Sequence, residues 1–327
     1  MSDPVVTIRR ATIDDAATLA DIERRSPLAL GESNLVIDRG DDYFAAARLM
    51  EDAAVFLAEV DGVPAGVYCG ALHRVRIGGV ERDLIYIHHA RILPEYQRHG
   101  LGRRFGEVIR KAYDGRSDGT HFYISRDNAI SQGYARNAKN RWSFGPVLVD
   151  IDTAAHAGPP AGRTATPADA DRVVEILNAT HGAEEMFLPY TVESLTARLE
   201  RAPAQYGWER VRLLGNAVVG VWPQGESITT RLTAATGHVT ESRSAAALDY
   251  GCLPGSEPGL IALLGAWCGW LATRGITSLE LFTSPGSRLA ETLTVLGPST
   301  TFDFWTPEHL EPPTAAQSGL YVDHIYF

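Results

Sequence analysis

One short stretch of the sequence places glycines and cations where an amphipathic helix should begin. Glycine lets the main chain turn tightly and lets a ligand approach its amides closely. A cation at an exposed helix N-terminus costs on the order of 0.3–1 kcal/mol, because the macrodipole is positive there. Unpaired N–H groups with converging guanidinium groups instead predict a site for an anion such as pyrophosphate. The residues of this stretch are Arg98, His99, Gly100, Gly102, Arg103 and Arg104.

The helix that follows must hold this stretch in place. Its apolar stripe has helical spacing, and Pro94 ends the preceding strand, RDLIYIHHARIL at residues 82–93. The sequence has neither the P-loop pattern nor the third glycine of a dinucleotide fingerprint at this point. The alternative to an anion site is a glycine-containing loop with solvated arginines. The stripe consists of Leu101, Phe105, Val108, Ile109, Ala112 and Tyr113.

Residues 92–102, ILPEYQRHGLG, resemble the signature of the GNAT superfamily of acyl-CoA-dependent N-acyltransferases. In that signature a strand is followed by Gln/Arg-x-x-Gly-x-Gly/Ala, which opens a helix, and Gln97, Gly100 and Gly102 match it. The resemblance covers residues 5–152, and the second half looks like a diverged copy. It implies an α/β (α+β) fold of two tandem GNAT-like domains, each a mixed, mostly antiparallel central sheet flanked by helices.

The resemblance also implies acetyl-CoA as the co-substrate, with no metal. Loop amides would hold the pyrophosphate, while main-chain groups near the end of the strand would pair with the pantetheine arm and polarise the thioester carbonyl. Asn128 matches an asparagine that contacts CoA in the family, although an asparagine after a strand also caps helices. The implied binding residues are Ile92, Leu93, Gln97, Arg98, His99, Gly100, Leu101, Gly102, Arg103 and Asn128.

His88 is the candidate general base for the attacking amine. Period-2 alternation is expected to place Tyr86 and His88 on the same face as Ile92, and a histidine titrates near neutral pH. His89 is expected to point to the opposite face, so the two histidines would not chelate. An interior structural role for His88 and a water relayed from an acidic residue of the N-terminal helices are the alternatives.

Tyr134 is the candidate general acid that the resemblance implies. It follows Asn128 by six residues where seven are usual, an offset of about 100° on a helix. Core packing is the alternative role. The acceptor is expected near residues 26–44, a polar connection between two helices, whose acidic residues would attract a cationic amine or simply be solvated. Those acidic residues are Glu32, Asp38, Asp41 and Asp42.

The 327 residues predict two domains that divide in a linker rich in small residues and proline. Residues 1–157 would be the acetyltransferase domain, and residues 158–327 a degenerate GNAT-like domain with a structural or substrate-shaping role. RRATIDDAATLADI, from Arg9, resembles GRTATPADADRVVEI, from Gly162, which indicates two copies of one fold. Glu257 and Pro258 stand where the first copy has its cations, and a carboxylate there would repel pyrophosphate.

The amino-acid composition limits the classes of partner that the protein is expected to bind. A net charge of −10 argues against nucleic-acid binding, and three scattered cysteines indicate a reducing cytoplasm without a disulfide framework. The apolar run at residues 259–272 is shorter than the ~20 residues needed to span a bilayer. We therefore expect a cytoplasmic protein with no nucleic acid or membrane partner, either a monomer with pseudo-dimeric domains or a homodimer.

The sequence thus predicts an N-acetyltransferase that transfers an acetyl group from acetyl-CoA to a primary amine of a small molecule. The amine would attack directly in a ternary complex. Two alternatives stay open: a non-catalytic acyl-CoA-binding regulatory module, and acetylation of a protein or peptide amine.

Overall fold

The computed structural model describes residues 4–126, 128–136, 140–142, 145–307, 309–310 and 319–327. The first half of the chain alternates strands and helices. Its helices are α1 (Ala16–Arg25), α2 (Ala45–Leu49), α3 (Leu101–Ala112) and α4 (Ala129–Arg136). Its strands are β1 (Val6–Arg10), β2 (Leu28–Leu30), β3 (Ser33–Asp38), β4 (Ala53–Val60), β5 (Val63–Ile77), β6 (Val80–Ile92), β7 (Gly119–Ser125), β8 (Asn140–Arg141) and β9 (Val147–Asp152).

The second half follows a similar order. Its helices are α5 (Ala170–His181), α6 (Val192–Arg201), α7 (Glu257–Ala272) and α8 (Ala290–Thr294). Its strands are β10 (Arg163–Thr164), β11 (Val211–Leu214), β12 (Ala217–Trp222), β13 (Thr229–Thr233), β14 (Val239–Ser242), β15 (Ser244–Cys252), β16 (Ser278–Thr283) and β17 (Ser299–Thr306). None of the helices in the described ranges is long and apolar enough to cross a bilayer.

Most strands join into one long, mostly antiparallel sheet in the order β1-β4-β5-β6-β7-β17-β9-β16-β15-β12-β11-β10, with β8 beside β17. Read from its two ends, the order repeats, because β1 corresponds to β10, β6 to β15, and β7 to β16. This arrangement confirms the prediction of two copies of one fold, each a mixed, mostly antiparallel sheet flanked by helices. The division of the chain near residue 158 stays a prediction, and the sheet runs continuously across it.

The two halves exchange their last strands. β9, from the first half, pairs with β16 of the second half, and β17, from the second half, pairs with β7 of the first. β9 and β17 also pair with each other at the centre of the sheet. Each half therefore completes the sheet of the other.

A second, smaller sheet also joins the halves. It has the order β14-β13-β3-β2, in which β3 pairs antiparallel with β13. Residues 26–44 connect α1 to α2, as expected, but they also form β2 and β3, which the expectation did not include. The partner strand lies almost 200 residues away, at Thr229–Thr233, so the local pattern could not reveal it.

Two local patterns in the sequence agree with the structure. The Asp61-Gly62 turn joins β4 to β5, with φ angles of 49° and 78° that suit a tight hairpin. The repeated motif is also real: Arg9 and Thr12 both bond Asp15 in the first copy. In the second copy Arg163 and Thr166 bond Asp169 in the same way.

Helices cover both faces of the sheet. α3 packs its predicted stripe on β4, β5 and β6 through Leu101, Phe105 and Ile109, while α1 packs Leu19 and Ile22 on the other face. In the second half, Trp267 of α7 is buried in the core and donates to the Val219 carbonyl at 3.2 Å.

The last residues of the chain are held inside the molecule. Arg198 of α6 binds Asp323 through two hydrogen bonds of 2.6 and 3.0 Å, and it also binds Asp249 at 3.0 Å. All three side chains are buried. Tyr326 then donates to the Leu72 carbonyl at 3.2 Å, which ties this segment to β5 of the first half.

Candidate active site

A gap opens in the large sheet between two parallel strands. β6 and β7 pair only from Leu84 to Tyr86, opposite Gly119 to His121, and the rest of β6 lies beyond this pairing. The part of β6 that follows Tyr86 pairs with β5 but not with β7, and it leads into the glycine-rich loop before α3. Main-chain groups on this side of β6 are therefore available to an extended ligand.

A β-bulge changes the direction of the side chains along β6. The register between β5 and β6 shifts between Val67 and Cys69, and His89 has a φ of 48°. Tyr86 packs in a core cluster on one face, whereas Ile92 packs against the α3 cluster on the other. The expectation that Tyr86 and His88 share a face with Ile92 is wrong, because the extra residue reverses the alternation.

The same bulge brings His88 and His89 together. Their Nδ1 atoms are 2.8 Å apart, so the expectation that the two rings point to opposite faces is also wrong. The Sγ atom of Cys69 and one nitrogen from each ring lie within 4.8 Å of one another. His88 is buried and stacks on the Tyr86 ring, with centroids 4.7 Å apart.

The environment of His88 strongly disfavours its protonated form. Burial, followed by the charges of Arg39 and His121, lowers the pKa of His88 to about 3. Arg39 is itself buried and pairs with the buried Glu23, its Nε donating to a carboxylate oxygen at 2.9 Å. A weak base of this kind is poorly matched to an amine whose unperturbed pKa is ~10.

The loop between β6 and α3 presents a row of free donors. Arg98 and Gly100 have φ angles of 66° and 76°, and the first main-chain bond into the helix runs from Arg104 N to Gly100 O. Within the described chain, the N–H groups of Arg98 to Arg103 donate to no main-chain or side-chain acceptor. We call these six N–H groups the nest.

The nest is open to a ligand. A Cβ atom built on Gly100 or Gly102 would meet nothing within 4 Å, and the Arg103 side chain is 81% exposed. Free N–H groups at a helix N-terminus, with arginines around them, suit a phosphate or pyrophosphate. The residues present therefore fit the diphosphate of a CoA derivative. Gln97, Arg98, His99, Gly100, Leu101, Gly102 and Arg103 all lie in or beside the nest.

Ile92 and Leu93 occupy different main-chain positions. The Leu93 N–H donates to the Ala65 carbonyl at 2.9 Å, so it faces β5 and is already bonded. Alternation of main-chain groups then directs Ile92 toward the open side of β6. Its carbonyl accepts a 3.1 Å bond from Gln97 Nε2. A ligand beside β6 would use the main chain of Ile92 rather than that of Leu93.

The two remaining predicted residues lie on the far side of the gap. Asn128 Oδ1 accepts from the Ser131 N–H at 3.1 Å, so Asn128 caps α4. Tyr134 belongs to α4, but its side chain lies outside the described part of the structure. The contact of Asn128 with CoA and the acid role of Tyr134 stay predictions.

Sequence reasoning missed the two charged residues behind the histidines. Glu23 lies on the buried face of α1, and Arg39 directly follows β3. The signal for Glu23 was its place among the apolar residues of the α1 stripe. No comparable pattern marked Arg39, because its surroundings depend on the strand with which β3 pairs.

The equivalent gap in the second half is bridged. β15 and β16 pair in parallel only from Ser244 to Ala246, but beyond that point the Tyr250 hydroxyl donates to the Phe282 carbonyl. Glu257 stands at the start of α7 and pairs with Arg288 at 2.8 Å. These contacts support the expectation that the second half holds no acyl-CoA, which stays a prediction.

Comparison with known proteins places the first half in a family. Residues 18–136 match the family described as the Acetyltransferase (GNAT) family. This segment is a GNAT domain. It contains the gap, the bulge and the nest, and the match ends at the last residue of α4. Curated protein sequences give no match to the chain.

Solved structures extend the likeness to the whole chain. A tandem GNAT protein from the clavulanic acid biosynthesis pathway has a TM-score of 0.57 at 14% identity, covering 92% of this chain and 98% of that one. Saccharomyces cerevisiae N-myristoyltransferase with bound myristoyl-CoA has a TM-score of 0.62 at 10% identity, covering 97% and 85%. A GCN5-related N-acetyltransferase from Kribbella flavida has 0.54 at 14%, covering 92% and 71%. The chain thus has a tandem GNAT fold.

Proposed function

We propose that this protein is an N-acyltransferase that transfers an acetyl group from acetyl-CoA to a primary amine of a small molecule. The single observation that carries the proposal is the nest, with six free N–H groups that follow the part of β6 not paired with β7. The fold is shared with an N-myristoyltransferase solved with myristoyl-CoA, which supports an acyl-CoA as the donor.

The reaction proceeds in a ternary complex. The neutral amine nitrogen attacks the thioester carbonyl carbon, so a C–N bond forms and the C–S bond breaks. The nitrogen loses one proton, and the departing thiolate takes one up to give free CoA. In this proposal the nest holds the diphosphate, Ile92 orients the pantetheine arm, and Tyr134 is the proton donor to the thiolate.

Two other functions are consistent with the same site. A regulatory module would bind acyl-CoA without turnover, and an enzyme for protein or peptide amines would use the same donor. We favour a small amine because the β2–β3 hairpin pairs with β13 and so ties the region of the expected acceptor site to the second half. A bulky acceptor would meet this second sheet.

The experiment is a thermal shift followed by a turnover assay. We expect acetyl-CoA and CoA to raise the melting temperature, and free thiol to appear when acetyl-CoA is mixed with some members of a primary amine library. Longer acyl-CoAs and peptides with free N-termini are tested in parallel. Stabilisation without thiol release from any mixture would favour a binding module. No stabilisation by any acyl-CoA would overturn the proposal.

A further inference from the structure

We propose that a relay of four side chains fixes His88 as a hydrogen-bond donor, whose Nε2–H contacts the carbonyl oxygen of the acyl-CoA thioester. The relay runs from Glu23 through Arg39 and His89 to His88. The identity of the ligand rests on the function proposed above, whereas the positions of the hydrogen atoms in the relay do not. In this role His88 replaces the general base that its residue type first indicated.

The relay begins at a buried ion pair. Glu23 is 2% exposed and Arg39 is 5% exposed, and the Arg39 Nε donates to Glu23 Oε2 at 2.9 Å. The Tyr43 hydroxyl donates to the other carboxylate oxygen at 3.4 Å. Because these contacts come from α1 and from the residues after β3, they hold the guanidinium in one orientation.

Arg39 then fixes the proton on His89. Its Nη2 lies 2.5 Å from His89 Nε2, and a guanidinium can only donate. His89 Nε2 must therefore accept, which leaves the proton of the neutral ring on Nδ1. Burial and the charge of Arg39 hold the pKa of His89 well below its usual value, which keeps the ring neutral.

His89 in turn fixes the proton on His88. The two Nδ1 atoms are 2.8 Å apart, and only one of them can carry the shared proton. Because His89 donates, His88 Nδ1 accepts and His88 carries its own proton on Nε2. That atom is buried and has no partner within the described residues. A buried donor without an acceptor indicates a ligand contact that is still to be made.

The position of His88 suits a thioester. It lies two residues beyond Tyr86, the last residue of β6 that pairs with β7, and four residues before Ile92. Four strand residues span about 13 Å. A pantetheine arm has about twelve chain atoms, equal to about four extended residues. An arm that starts at the nest and follows β6 would bring its acyl end to His88.

The chemistry also favours a donor. A fixed N–H aimed at a carbonyl oxygen stabilises the negative charge that develops there during attack. A second proton on His88 would be opposed by the positive charge of Arg39 and by His121 of β7. The Cys69 thiol is neutral, because burial raises its pKa to about 12.

The first test reads the protons directly, without substrate. In the full-length protein labelled with ¹⁵N-histidine, we expect His88 to show a bare Nδ1 and a protonated Nε2, and His89 to show the reverse. His88→Gln identifies the His88 signals by their loss. A bare Nε2 on His88 in the wild type would overturn the relay, whether or not any amine is acylated.

Variants of the positioning residue Arg39 sharpen this test. Arg39→Lys keeps a donor, so it should keep the proton pattern. The double variant Glu23→Leu with Arg39→Leu removes the whole ion pair without leaving a buried charge, and it should allow both tautomers of His89. An unchanged pattern in the double variant would show that Arg39 does not set the proton. Bound zinc or copper that Cys69→Ser removes would also overturn the relay, because a metal ion held by both rings would replace the proton that they share.

The second test separates a donor from a base. Glutamine can keep an N–H in the place of Nε2 but cannot take up a proton, so we expect kcat of His88→Gln to stay within about tenfold of wild type. His88→Leu should lose about 10²–10³ in kcat. Equal losses in the two variants, with a pH profile showing one lost ionisation, would restore the base role and overturn the proposal.

Discussion

Two adjacent histidines show how one dihedral angle changes the chemistry of a strand. The sequence shows two histidines in the strand before the glycine-rich loop. It also predicts a ligand site near the end of that strand. The contact between the two histidines was not evident, because regular alternation places neighbours on opposite faces. The φ of 48° at His89 arises from a bulge against β5, which depends on a partner strand.

Buried histidines should make the protein sensitive to acid. Burial, followed by the charge of Arg198, lowers the pKa of His73 to about 3. The pKa of His88 is also lowered to about 3, mainly by burial. An unfolded histidine titrates near 6.5, so stability is complete above pH 6.5 and falls as the pH drops toward 3. Each such histidine should cost about 1.4 kcal/mol per pH unit in this window.

Denaturation in urea at pH 7.5, 6.0 and 5.0 measures this effect. His73→Gln removes the stack on Tyr326, whose ring lies 3.9 Å away, so the variant should be less stable at every pH. Its dependence on pH should nevertheless be shallower than that of the wild type by one proton. His238→Gln is the control, since His238 is exposed. Parallel curves for wild type and His73→Gln would contradict the prediction.

Elements with local signals were predicted well, and their partners were not. The β4–β5 hairpin, β6 and the stripe of α3 follow from turn residues and periodicity within short windows. The exchange of β9 and β17 does not, since each strand reads like the last strand of its own copy. Pairing across more than 100 residues is set by the packing of the two halves, which no local window contains.

The exchanged strands predict that neither half folds well alone. Residues 1–158 lack β17, so one edge of β7 would be exposed, and β9 would lose β16. We expect this fragment to be insoluble by itself and to form a 1:1 complex when co-expressed with residues 159–327. Size-exclusion chromatography with light scattering measures both outcomes.

The control for the fragments is a cut made after folding. A protease site inserted at the exposed residues 155–157 should leave the two pieces of the full-length protein associated after cleavage. A soluble, monomeric 1–158 fragment with native circular dichroism would show that the strand exchange is dispensable.

At the scale of the whole molecule, the two halves share one strand order but differ at the gap. The gap is open in the first half and bridged in the second. The first half ends its β6–β7 pairing at Tyr86 and follows it with the nest, while the second half bridges its gap through Tyr250. The resemblance in sequence indicated the position of the nest through its glycines. The closed second gap depends on side chains that meet only in the fold.

The central claim is that the nest binds the diphosphate of CoA, and isothermal titration with CoA tests it most directly. Gly102→Asp places a carboxylate in the nest, where the structure leaves open space, and Gly106→Asp places the same group one turn further along α3, also in open space. We predict that Gly102→Asp weakens CoA binding at least tenfold, about 1.4 kcal/mol, while Gly106→Asp stays near wild type. Equal affinities for the two folded variants would contradict the account.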